Sequence, residues 1–188
     1  MALNYRSATR NLPDGYTFRG ATLHDVPVVV YLFNQRQMTR GVPSRVEDVR
    51  QEWQTFNFNP AMDVRLVFDQ REHLIGYIEV WTTLPQFIQP WLWGCVHPDY
   101  EGRGIGTALL SWAEARVRLA MEMLPSADKR FAPRFCALHS LTTVQALCAA
   151  LGWQRADQES SPSHLFKTTT GVLRLLHDDA YDVYKKEP

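Results

Sequence analysis

Residues 91–122 constrain the fold more than any other part of the chain. The apolar run "WLWGCV" leads into "HPDYEGRGIG", and "TALLSWAEARVRLAME" follows. The first run is rich in strand formers. The middle places three glycines in five positions. Beyond them Ile105, Ala108, Leu109, Trp112, Ala113, Ala115 and Leu119 make a wide helical stripe. Strand, bare turn and helix in this order suit an anion. Glycines let the backbone approach a ligand at positive φ, and the first helical N–H groups point outward without partners, at the positive end of the helix dipole. Gly102, Arg103, Gly104, Ile105, Gly106 and Thr107 can then wrap a pyrophosphate, with Arg103 adding charge. A tight turn with no ligand is the alternative.

The surrounding chain supplies both strands and helices. "YTFRGAT" reads as a first strand and "LHDVPVVVYLFNQRQM" as a helix entered at Asp25, which keeps Pro27 in the first turn; a start at Thr22 competes. "SRVEDVRQEWQTF" is a second helix capped by Ser44. "DVRLVFDQREHLIGYIEVWTT" reads as a hairpin, with Ile75, Tyr77, Glu79 and Trp81 on one face. After the motif helix, which pairs Glu114 with Arg118 at i,i+4, come a polar loop, the strand "RFCALHS" and the helix "TTVQALCAALGW" closed by Gly152. "SHLFKTTTGVLRLL" suits one or two closing strands. Residues 1–15 read as a loose leader, 16–171 as one domain, and 172–188 carry no assignment.

Bulk properties narrow the function. Twenty basic residues balance twenty acidic ones, which disfavours a nucleic-acid or anionic-membrane binder. The sequence shows no apolar run of membrane-spanning length and no signal peptide. The three cysteines, Cys95, Cys136 and Cys148, lie in apolar runs without metal or disulfide spacing, so a reducing cytoplasm is the simplest compartment, with no metal. Among phosphate-binding turns, a P-loop fails because no lysine follows Gly106. A dinucleotide fingerprint fits Gly102 and Gly104 but finds Thr107 where its third glycine belongs, and an antiparallel meander precedes it.

The run "VHPDYEGRGIGTALLSWAEA" resembles the acyl-CoA-binding motif of the GNAT N-acetyltransferases, [Q/R]-x-x-G-x-[G/A], here Glu101 to Gly106. The order of elements from Tyr16 to Trp153 resembles that family too. The resemblance implies an α/β fold: a mixed, mostly antiparallel central sheet flanked by helices, with a V-shaped splay between the Cys95–Val96 strand and the Arg134–His139 strand. It implies that pantetheine lies in the splay, that main-chain groups at Cys95 and Val96 bond it, and that pyrophosphate sits on residues 101–107. The reaction it implies is direct transfer of acetyl from acetyl-CoA, as co-substrate, to a primary amine of a small molecule or peptide. A catalytically weak CoA-binding module is the competing reading, and a dinucleotide-binding protein a third.

Two positions depart from the family pattern. Glu101 stands where Gln or Arg is usual. A carboxylate beside a pyrophosphate is unfavourable, so the expectation is weaker binding or a Glu101 turned to solvent. Cys148 stands where many members carry the tyrosine that protonates the leaving thiolate. It is either a proton donor or a packing residue. Glu79, alone in an apolar strand, and His139, at the end of "RFCALHS", are candidate general bases; a salt-bridged glutamate and a capping histidine are the alternatives. Lys129, Arg130 and Arg134 could reach the CoA 3′-phosphate or simply solvate a loop. Trp81, Phe87, Trp91 and Trp93 could wall an acceptor pocket, fill the core or form a homodimer contact.

Overall fold

The computed structural model describes residues 12–36, 43–82, 90–122, 134–138, 142–155 and 181–186. His139, Phe87, Lys129, Arg130 and the "SHLFKTTTGVLRLL" segment fall outside them. The described strands are β1 (Thr17–Gly20), β2 (Val64–Phe68), β3 (Leu74–Trp81), β4 (Trp91–Val96), β5 (Arg134–Leu138), β6 (Gln154–Arg155) and β7 (Tyr181–Lys185). They form one sheet in the order β1-β2-β3-β4-β5-β7-β6. All neighbours are antiparallel except β4 and β5. The helices are α1 (Val26–Arg36), α2 (Val46–Trp53), α3 (Pro60–Asp63), α4 (Ile105–Glu122) and α5 (Thr142–Ala150). A mixed, mostly antiparallel sheet flanked by helices is thus the architecture the sequence implies.

Local chemistry explains the element starts. Both readings of the first helix are partly realised. A 3-10 turn over Leu23–Asp25 opens at Thr22, and α1 then begins at Val26 with Pro27 in its first turn. Asp25 accepts from the Thr22 N–H (2.8 Å) and hydroxyl (3.0 Å) and holds Arg19 through two bonds. Ser44 is not the cap of α2; Arg45 occupies that position, and the Ser44 backbone is held by the Asn34 side chain instead. A neighbouring helix thus holds the segment that leads into α2.

Each face of the sheet carries its own apolar cluster. Val26, Val29, Val30 and Phe33 of α1, with Val49 and Trp53 of α2, pack on Leu66, Tyr77, Trp81, Trp91 and Trp93. Ile105, Leu109, Trp112 and Val117 of α4 pack on Val67, Ile78, Val80 and Leu92. Ile75 belongs with the second cluster, not with Tyr77 and Trp81. The register between β2 and β3 shifts at Val67/Phe68, where Val67 faces Gly76 and Phe68 faces Leu74. This bulge takes Ile75 out of the simple alternation that the sequence suggested. The described aromatic residues of the proposed pocket wall, Trp81, Trp91 and Trp93, are buried core.

The tail, unassigned from sequence, contributes β7 between β5 and β6. Lys186, just beyond it, reaches Glu114 of α4 at 2.9 Å, and the Trp153 indole N–H donates to the same carboxylate at 2.8 Å. Glu114 therefore ties α4 to the chain end instead of serving an exposed pair with Arg118.

Candidate active site

The parallel pairing of β4 with β5 is short. Trp91, Leu92 and Trp93 face Arg134, Phe135 and Cys136. Gly94, Cys95 and Val96 remain paired with β3 on one side, but have no β5 partner in the register. The strands part after Trp93, and this is the V-shaped splay. On that side Gly94–Val96 carry main-chain groups that β5 does not pair, with Val96 packed on the α4-side cluster and Cys95 opposite Tyr77. Gly94 is required there: a Cβ would lie 2.7 Å from the Tyr77 carbonyl oxygen.

The glycine turn follows directly. His97 N–H donates to the Ile75 carbonyl (2.8 Å), and a 3-10 turn over Pro98–Tyr100 carries the chain across the sheet edge. Gly102 and Gly104 have φ of +72° and +79°. At Gly102 a Cβ would meet nothing within 4 Å, and at Gly104 only Pro13, at 3.7 Å. Helix α4 then starts at Ile105, and Ala108 N–H donates to the Gly104 carbonyl. The N–H groups of Ile105, Gly106 and Thr107 lie ahead of that first bond and have no partner within the helix. Gly106 serves a different purpose. A Cβ there would come within 3.0 Å of Leu147, so its bareness lets α4 and α5 approach.

Tyr100 fixes this turn. Its hydroxyl donates to Asp69 of the β2–β3 turn (2.7 Å), and its ring meets Tyr16, His97 and the Arg103 guanidinium. Burial alone would raise the Asp69 carboxyl. The Tyr100 hydroxyl and the backbone N–H groups of His73 and Arg71 outweigh it and hold the carboxyl at about 2. Its value in the unfolded chain is higher, about 4. The bond therefore stabilises the fold fully above about pH 4 and is lost as pH falls toward 2. Tyr100→Phe is expected to lower the urea midpoint at pH 7. The variant should also lose less stability than the unsubstituted chain between these two pH values; parallel acid profiles would contradict the assignment.

The candidate residues divide into distinct groups. Arg103 lies back over Tyr100, 4.8 Å from the ring centroid, and donates to the Asp99 carbonyl, so its charge is folded away from the glycines. Glu101 does not turn to solvent. Its carboxylate contacts Arg36 at the end of α1 and accepts from the Thr143 hydroxyl of α5 (3.1 Å). That arginine was not legible as a site residue, because it is 65 positions away and ends an ordinary amphipathic helix.

Glu79 has no exposed surface and accepts from the Tyr77 hydroxyl. Tyr77 is itself enclosed by Phe33, edge-on at 4.9 Å, and by Trp53, parallel at 6.4 Å. Tyr77 faces Cys95 across the strand pair. Burial pushes the Cys95 thiol up to about 12, with Arg36 opposing the shift and Glu79 adding to it. Cys148 is fully buried among the α4-side cluster, and burial alone pushes its thiol up to about 12. Both thiols stay protonated near neutrality. Among the described residues, no three His, Cys, Asp or Glu side chains gather to hold a metal ion, and no helix is long and apolar enough to cross a membrane.

Comparison with known proteins agrees with this geometry. Residues 63–155 match the acetyltransferase (GNAT) domain family. A GCN5-related N-acetyltransferase from Sphaerobacter thermophilus superposes with a TM-score of 0.66 at 24% identity, covering 77% of this chain and 45% of that one. The chain thus spans less than half the length of that protein. The yncA protein of Salmonella typhimurium, solved with its cofactor acetyl-CoA, gives 0.62 at 16% identity, with 92% of each chain covered. A GCN5-related N-acetyltransferase from Kribbella flavida gives 0.60 at 19% identity, covering 94% of this chain and 99% of that one. At these identities the superpositions show the fold. No curated protein matches the chain in sequence. Residues 63–155 thus carry a GNAT acetyltransferase domain, of a family of acetyl-CoA-dependent transferases, and the chain has the fold of such proteins.

Proposed function

We propose that the chain transfers an acetyl group from acetyl-CoA to a primary amine of a small molecule or peptide by direct attack. The observation that carries this is the junction of the splay at Gly94–Val96 with the open glycine turn at Gly102–Gly106. The pantetheine arm would lie along the free main-chain edge at Cys95 and Val96. The pyrophosphate would meet the N–H groups of residues 102–107, where open space over Gly102 leaves room for it. Bound acetyl-CoA supplies the activated thioester. The chain supplies position, oxyanion donors from the β4 main chain, and proton transfer.

Direct attack is favoured over a covalent route through cysteine. A thiol nucleophile must ionise, and Cys95 and Cys148 are both held near 12. The same value and its burial favour packing for Cys148 over proton donation. Glu79 is the proposed base. Its carboxylate has no exposed surface, so the proton would reach it through water or the Tyr77 hydroxyl instead of by direct contact.

A panel of amines, with detection of the CoA thiol released, tests the proposal. Turnover on at least one amine is expected, and CoA binding without turnover on any would favour the weak-module reading. Glu79→Gln is expected to lower kcat on the order of a hundredfold with CoA affinity unchanged. Unaltered kcat would remove Glu79 from the proton path.

A further inference from the structure

Glu101 creates a physical problem that Arg36 answers. An anion cradle should not begin with a carboxylate, since two like charges a few ångströms apart repel strongly where water is scarce. Glu101 is nonetheless three-quarters buried at the mouth of the glycine turn, with its side chain 25% exposed. Its partner Arg36 is more deeply placed, at 10% side-chain exposure. One guanidinium nitrogen of Arg36 contacts Glu101, while its Nε is buried with no hydrogen-bond partner. A buried guanidinium with an unused donor is costly, and the free Nε can take a further acceptor.

We propose that Arg36 cancels the negative charge that Glu101 brings to the phosphate cradle. It is a positioning residue that neutralises Glu101 and holds it against Thr143, so that the N–H groups of the turn meet the CoA pyrophosphate without an opposing carboxylate charge. This rests on the CoA reading above. The neutralising charge comes from α1, while Arg103, the arginine inside the turn, is folded back on Tyr100. The Arg36–Glu101–Thr143 chain also spans the open end of the splay, from α1 over the turn to α5. CoA binding and the placement of the α1 terminus are thereby linked.

A charge cycle on the full chain tests this, using CoA as the probe in calorimetry. Arg36→Gln should weaken CoA binding at least tenfold, because Glu101 is left unneutralised beside the phosphates. Glu101→Gln should leave affinity equal or raise it a few-fold, because Arg36 is released. The double variant should return to within about threefold of the unsubstituted protein, as expected for an interacting pair. A residue that merely props up the fold would not be rescued in this way. The tenfold loss should also shrink as ionic strength rises. Thermal unfolding of each variant checks that the chain is folded. A double variant as weak as Arg36→Gln, or four equal affinities, would overturn the role of Arg36 alone. An unsubstituted protein that binds no CoA at near-millimolar concentration would overturn the CoA reading and this proposal with it.

Discussion

Gly104→Trp is expected to reduce CoA affinity at least a hundredfold while leaving the fold intact. Two effects combine. At φ of +79° an L-residue pays about 1–2 kcal/mol of backbone strain. The surroundings then offer the indole only Pro13, 3.7 Å from its Cβ, and the open space over the turn. The strain is modest, so the unfolding temperature should fall by only a few degrees. The ring, in contrast, would occupy the volume proposed for the pyrophosphate. Calorimetry with CoA beside a thermal melt separates the two. Unchanged affinity in a folded Gly104→Trp protein would show that the phosphates bind elsewhere. Gly104→Ala provides the control, since it carries the strain with little of the bulk.

The largest effect on stability is expected at Asp63. This carboxylate is 2% exposed and joins α3 to α4. Its Oδ1 accepts from Arg116 Nε (3.0 Å) and from a terminal guanidinium nitrogen (2.6 Å), and its Oδ2 accepts from the Asn59 N–H (2.8 Å). The net worth of such a pair is small, because both charges had to leave water. Breaking it from one side is costly, because Arg116 at 11% exposure is left buried and unpaired. Asp63→Ala should therefore cost about 3–5 kcal/mol and lower the melting temperature by roughly 10 °C. Asp63→Asn, which keeps an acceptor, should cost less. A fall of under about 3 °C in Asp63→Ala would show that Arg116 finds water or another partner.

Local pattern made much of this molecule legible. The β2–β3 hairpin, β4, the glycine turn and α4 follow from alternation, turn chemistry and helical spacing, all of which act over a few residues. The same signals misplace Ile75, because a bulge depends on how β3 registers against β2. They say nothing of β7, whose pairing partner β5 lies more than forty residues earlier in the chain.

What the sequence carried by itself is a strand, a bare glycine turn and a helix start, an arrangement suited to an anion, and the family it resembles. What only the tertiary structure decided is the charge of that cradle. In sequence Glu101 is an anomaly, and Arg103 looks like the charge of the turn. In the fold Arg103 is spent on Tyr100, and Glu101 meets Arg36 and Thr143 from two other helices. The physical reason is range. Backbone conformation is set by neighbours in the chain, whereas a buried charge is matched by whichever groups the packed helices bring within hydrogen-bond reach.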